Sequence, residues 1–221
     1  CFRIDKRGIH MDFCIARLKT GESFTNRDVE KLRGYLGNRF IEDDIFHNHD
    51  GKFGFFYRFP TVQYRLLNNE LCVFGVGDSI ALMKSRLDTL DKICITDREI
   101  SLKGIEYEDF SHDFEVGDDT NRYEFGTIYL ALNKENYKKY VSGEIDLDRC
   151  IQNNLLSNFK NLGIQVDRQI VAKSSLEPVG VTLKDTRLVG FKGAFETNVS
   201  IPKYMSIGKR QSIGFGMVDL L

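Results

Sequence analysis

No C-x-x-C pair occurs in this chain, and its five cysteines, Cys1, Cys14, Cys72, Cys94 and Cys150, are odd in number and scattered. A disulfide framework and a cysteine zinc site are both disfavoured by that pattern, and a reducing cytoplasm is the expected compartment. No apolar run approaches the ~20 residues of a membrane helix. The sequence also lacks a secretory signal pattern, so no membrane partner is expected. Net charge is small too: 31 Lys and Arg stand against 32 Asp and Glu, for a formal charge of −1. A protein that binds polyanions over its whole surface is excluded by that balance. No internal repeat is visible.

What charge there is, is unevenly placed. Asp91–Thr120 carries ten acidic and three basic residues, whereas Val181–Leu221 carries six basic and three acidic. A nucleic-acid site confined to one face fits that split. The chain has 221 residues, 42% hydrophobic and 29% charged, which allows one large domain or two of about 100 residues each. Residues 1–10 precede the first strand-like pattern and are set aside as an extension.

From Met11 the chain alternates element types. Met11–Leu18 reads as a strand. Thr25 and Asp28 resemble a capping box, and Val29, Leu32 and Leu36 then recur with helical spacing to a fade near residues 37–40. Phe53–Phe59, Thr61–Leu67 and Leu71–Gly75 read as strands, the last two as a hairpin across Asn68-Asn69. A helix follows Asp78 or Ser79, with Ile80, Met83, Leu87 and Leu90 on one face, and Ile93–Ile95 closes the set. Strand, helix, strands, helix, strand is the ferredoxin-like order. A domain boundary near residue 95 therefore gives an N-terminal domain over 11–95 and a C-terminal one over 96–221. In the second, Gly117–Asn121 reads as a polar loop and Tyr123–Asn133 as a strand. Lys134–Val141 and Asp146–Leu162 read as helices, with Gly163 as cap. Gln165–Lys173, Gly180–Lys184, Arg187–Ser200 and Ser212–Leu220 read as strands. The expected fold class is α+β: two tandem ferredoxin-like (RRM-like) domains.

Two stretches carry chemistry. Near the C-terminus, Gly208, Gly214 and Gly216 frame a loop that contains Lys209, Arg210 and Ser212. Glycine permits conformations that a side chain forbids, so such a loop can bring backbone N–H groups close to phosphates. It also suits a plain turn between two strands. The second stretch is His47-Asn48-His49, which contains two of only four histidines. His-x-His can supply two zinc ligands, but a site needs a third or fourth, and no other ligand stands at telling spacing. The pair could equally be two loop histidines without a task, or a general acid–base pair, since imidazole titrates near pH ~6.5. The residues alone leave these open. Three contiguous residues do not make the metal-dependent HNH nuclease element.

Gly208-x5-Gly214-Phe215-Gly216 resembles the glycine-rich signature of the repeat-associated RNA-binding proteins of CRISPR systems. In particular it resembles the endoribonucleases that cut precursor CRISPR RNA within each repeat, the Cas-six family. KLRGYLGNRF (31–40), FHNH (46–49), FYRFPTVQYR (56–65), LALNKENYKKY (130–140) and GFKGAFETNVSIPKYMSIGKRQSIGFG (190–216) are similar, in order and spacing, to the branch with a His-Asn-His element. The family signature has a further glycine where this chain has Ser206.

The resemblance implies a fold of two ferredoxin-like domains and a metal-independent cut that uses the RNA 2′-OH as nucleophile, leaving a 2′,3′-cyclic phosphate and a 5′-hydroxyl. It implies His49 as general base and His47 as its orienting or acidic partner. Arg39, where the family has Lys, supplies a cation, and Tyr57 is the matching helper. Lys192, Lys203, Gly208, Lys209, Arg210, Ser212, Gly214 and Gly216 are implied as RNA-binding. No cofactor and no metal are expected. CRISPR repeat RNA is the implied partner. Subunits of a CRISPR effector complex and a second copy of the chain are further partners that the resemblance allows. A non-catalytic RNA-binding scaffold of the same superfamily is the alternative, and the His pair speaks against it.

Overall fold

The computed structural model describes residues 2–3, 9–46, 59–132, 134–183 and 186–221, with the backbone alone at 2, 3, 134 and 135. Its strands are β1 (Phe2–Arg3), β2 (Ile9–Lys19), β3 (Val62–Leu67), β4 (Glu70–Val76), β5 (Lys92–Ile95), β6 (Arg98–Ser101), β7 (Gly104–Phe114), β8 (Val116–Phe125), β9 (Ile164–Gln165), β10 (Ala172–Leu183), β11 (Thr186–Val199) and β12 (Val218–Leu220). Its helices are α1 (Asn26–Arg39), α2 (Ser79–Leu87), α3 (Lys134–Val141) and α4 (Leu147–Asn161). The chain divides into two units. The N-terminal unit is Met11–His112 with Ser212–Gly214, and the C-terminal unit is Cys1–His10, Asp113–Gln211 and Phe215–Leu221.

The N-terminal unit's sheet runs β3-β4-β2-β7. Numbered by order of appearance, that is the ferredoxin-like arrangement, with the first and third strands central. β2 and β4 are buried along most of their length, as central strands covered by packing require. Val29, Leu32 and Leu36 turn the buried stripe of α1 inward, and Ser79, Met83 and Leu87 are buried on α2. Phe13 stacks between Phe74 at 5.7 Å and the half-buried Phe110 at 5.3 Å, so rings from β2, β4 and β7 form one row across the sheet. At the start of α1 the Asp28 carboxylate accepts from the Thr25 N–H at 2.9 Å and from its hydroxyl at 2.8 Å, the box that the sequence announces.

The closing strand of this unit is not Ile93–Ile95. Those residues pair with Arg98–Ser101 in a two-stranded hairpin, β5-β6, and the fourth strand of the main sheet is β7. The unit therefore runs on to His112, beyond the boundary near residue 95. The acidic composition of β7 gives no sign that it closes this sheet. Its carboxylates are matched by cations of neighbouring elements: Glu106 by Lys19 at 3.0 Å, Glu108 by Arg17 at 3.4 Å and Asp109 by Lys84 at 2.6 Å. Alternate residues of a strand share a face, which lets Glu106 and Glu108 meet Lys19 and Arg17 of the adjacent β2.

The C-terminal unit's sheet, β10-β11-β8-β12, repeats the same order. The loop expected at residues 117–121 is part of β8. That half is polar and exposed, while Tyr123 and Phe125 at the other end are buried. The strand stops at Phe125, short of the Asn133 expected. Pro178 stands in the gap between the strands expected at 165–173 and 180–184, yet β10 passes through it. Being an edge strand, β10 can spare the N–H that proline lacks. Between β11 and β12, where a ferredoxin-like domain carries its second helix, the chain instead runs through a glycine-rich segment. Its regular structure is a 3₁₀ turn at Gln211–Ile213 and then the short β12, not a strand from Ser212.

Candidate RNA-binding and catalytic site

The glycine-rich segment is held by its own backbone. Residues 128–130 lie between β11 and the segment. Tyr129 and Phe191 exchange N–H···O bonds, both 2.9 Å. On the other side the Lys209 N–H donates to the Leu130 carbonyl at 3.0 Å, and the Gly216 N–H to that of Ile128 at 2.9 Å. The Ile207 N–H donates to the Gly216 carbonyl at 2.9 Å, closing the loop on itself. These amides are spent inside the protein, so they do not form the phosphate cradle that the glycine spacing suggested. The glycines serve close approach instead. At Gly208, with φ +90°, a Cβ would sit 2.6 Å from the Tyr129 ring. At Gly216, with φ +68°, it would run into the Ile207 carbonyl oxygen.

Beneath the loop is a packed aromatic floor. Tyr129 stacks on Phe125 with centroids 4.5 Å apart, and its hydroxyl accepts from Asn154 of α4 at 2.5 Å. Burial pushes the Tyr129 phenol well above its ordinary pKa, with the Cys150 side chain adding to the rise. Ser206, at the place of the family glycine, is fully buried and its carbonyl accepts from Asn158 at 3.0 Å. Neither Tyr129 nor Asn158 stands out in the sequence. The LALNKENYKKY string begins one residue after Tyr129, and Asn158 lies in none of the strings that resemble the family.

What the loop offers outward is side-chain charge. Lys203, Lys209 and Arg210 are exposed, and the Lys203 ammonium lies 5.4 Å from the centre of the Tyr204 ring. Both Tyr204, with φ +64°, and Arg210, with φ +57°, sit in the left-handed region that bulky residues avoid. Lys192 is exposed on β11, next to the buried Phe191 and opposite Glu177 in the register. Lys203, Gly208, Lys209, Arg210 and Gly216 thus share one segment, and Lys192 belongs to the strand bonded to the same 128–130 stretch. Ser212 and Gly214 group with the N-terminal unit, where a Cβ on Gly214 would meet the Tyr64 carbonyl oxygen at 3.3 Å.

His47, His49 and Tyr57 lie outside the described residues. The chain leading to them is described. Arg39 is exposed in the last turn of α1. The next residue, Phe40, packs its ring 5.0 Å from that of Phe46, at the end of a 3₁₀ turn (Asp44–Phe46). Arg86 of α2 grips Asp43 with two bonds, 2.6 and 3.2 Å. Among the described residues no three His, Cys, Asp or Glu side chains are grouped to hold a metal, and no helix is long and apolar enough to cross a membrane.

Residues 11–113 match the model of the Cas6b N-terminal domain, and residues 115–221 match that of the Cas6b C-terminal domain. The chain belongs to the Cas6b family. A crystal structure of Cas6b superposes with a TM-score of 0.88 at 27% identity, over 96% of this chain and all of that one. A crystal structure of the CRISPR RNA processing endoribonuclease Cas6b gives 0.75 at 25% identity with the same coverage. An uncharacterized protein of Methanocaldococcus jannaschii is 31% identical over 142 residues, which are 58% of this chain and 97% of that protein. The junction between the two family models, at 113–115, coincides with the end of β7 rather than with residue 95.

Proposed function

We propose that this Cas6b protein is a metal-independent endoribonuclease that cuts CRISPR repeat RNA once per repeat to release guide RNA. The observation that carries the reading is the coverage of residues 11–113 and 115–221 by the two family models together with the His47-Asn48-His49 element in its expected order. RNA supplies the nucleophile, the 2′-OH. His49 takes its proton and the oxygen attacks the adjacent phosphorus. The bond to the 5′ oxygen breaks, and His47 protonates that leaving oxygen. A 2′,3′-cyclic phosphate and a 5′-hydroxyl result, so atoms and charge balance with no further reactant. Arg39 faces the negative charge that builds on the phosphorane. An arginine is always charged but cannot pass a proton at useful pH, so it serves as electrostatic support only. Tyr57 assists from the next strand-like string. Lys192, Lys203, Lys209 and Arg210 hold the RNA backbone as side-chain cations.

The test is cleavage of the repeat RNA of the protein's own locus. Activity is expected to persist in EDTA, and a 2′-deoxy sugar at the cut site is expected to bind without being cut. Loss of activity in EDTA that Mg²⁺ restores would contradict the mechanism.

A further inference from the structure

β3 contains three consecutive polar residues that are almost wholly buried: Gln63, Tyr64 and Arg65, at 0%, 1% and 1% exposure. Buried polar groups are expensive unless each is satisfied, so such a run asks for a reason. Its bonds supply one. The Tyr64 hydroxyl donates to the carbonyl of Phe46 at 3.1 Å. The Gln63 amide donates to the carbonyl of Pro60 at 2.8 Å. Arg65 donates back to the Gln63 side-chain oxygen, and to the Tyr64 carbonyl at 3.1 Å. Its guanidinium also lies 5.4 Å from the centre of the Phe74 ring. Burial pushes Arg65 down to about 9, which still leaves it charged at neutral pH, and pushes the Tyr64 phenol up, which keeps it a proton donor.

Phe46 is the residue before His47, and Pro60 follows Tyr57 by only a few positions. Both are buried. One strand therefore grips both described ends of the stretch that carries His47, His49 and Tyr57. The backbone of the same Tyr64 is what a Cβ on Gly214 would touch.

We infer that Gln63, Tyr64 and Arg65 form a positioning clamp for RNA cleavage, in which the Tyr64 hydroxyl, through the Phe46 carbonyl, sets the place of the His pair. The inference rests on the proposed role of that pair. Tyr64 is a positioning residue in this reading: it acts through Phe46, the residue before His47. Small misplacements of a catalytic group are costly in rate while leaving substrate contacts elsewhere intact.

Tyr64→Phe removes the one hydroxyl and keeps the ring. It is to be compared with the parent, with His49→Ala, and with Tyr123→Phe, which deletes another buried phenol bonded at 2.8 Å to the Ile201 N–H. Single-turnover cleavage of repeat RNA, equilibrium binding and thermal melting are read for each. The expected result for Tyr64→Phe is binding within ~2-fold of the parent and cleavage slower by on the order of 10-fold. Its pH–rate profile should keep its shape, because the imidazoles are untouched. Tyr123→Phe should cut at the parental rate. Parental cleavage by Tyr64→Phe while His49→Ala is inactive overturns the clamp alone. Parental cleavage by His49→Ala and by His47→Ala overturns the functional reading beneath it. A Tyr64→Phe protein that fails to fold, or a Tyr123→Phe protein equally slowed, makes the hydroxyl a structural group and overturns the inference.

Discussion

The backbone N–H of Lys209 donates to the carbonyl of Leu130 at 3.0 Å. The amide at the centre of the glycine-rich loop is therefore committed to the fold, and the proposed contact with RNA falls to the side chains of Lys209 and Arg210. Lys209→Ala combined with Arg210→Ala should weaken repeat-RNA binding at low salt. It should also flatten the log–log salt dependence by about 1.4, at ~0.7 for each single-strand phosphate that is no longer neutralised. Affinity against salt concentration, measured by filter binding, checks this. An unchanged slope would mean that the two cations do not face phosphate.

Gly216 is a separate case, since its task is steric. A Cβ there would collide with the Ile207 carbonyl, and φ is +68°. Gly216→Ala should destabilise the protein by more than about 1 kcal/mol and weaken RNA binding through the displaced loop. Gly180 has open space at its Cβ position and no positive φ, so Gly180→Ala is the control that should melt like the parent. Thermal melting of the two variants makes the comparison.

The capping box gives a pH prediction. Burial raises the pKa of Asp28, but the Thr25 N–H, the Thr25 hydroxyl and Lys31 together outweigh it, and the net shift is downward. A carboxylate lowered in the folded state stabilises the fold above its unfolded pKa and loses that contribution as pH falls through the folded value. Asp28→Ala should cost about 1 kcal/mol at pH 7. The difference between variant and parent should shrink as pH is lowered below ~4. Urea unfolding at several pH values checks both statements.

Where alternation and spacing are strong, the sequence is readable: the α1 stripe, the β3-β4 hairpin and α4 all lie where periodicity puts them. The misreadings share a cause. β7 and the first half of β8 are polar because one face is solvated and carboxylates of β7 meet cations from other elements, which no local pattern reveals. The gap around Pro178 reads as a break because edge position is a tertiary property. The glycine loop is legible as a motif, but its purpose is not. The carbonyls of Ile128 and Leu130 that consume its amides lie some eighty residues away in the chain. Gln63, Tyr64 and Arg65 stand inside a matched string, yet polar side chains on a strand give no sign of their burial.

The His pair carries the proposed cleavage, and single-turnover cleavage set against binding for His49→Ala and His47→Ala tests that role most directly. Both variants should fold, with stability within ~0.5 kcal/mol of the parent. Both should bind repeat RNA about as tightly as the parent. His49→Ala should cut at least ~100-fold more slowly, the loss expected for a missing general base, and His47→Ala should be impaired less. Near-parental cleavage by both variants would contradict the account and place the catalytic centre elsewhere.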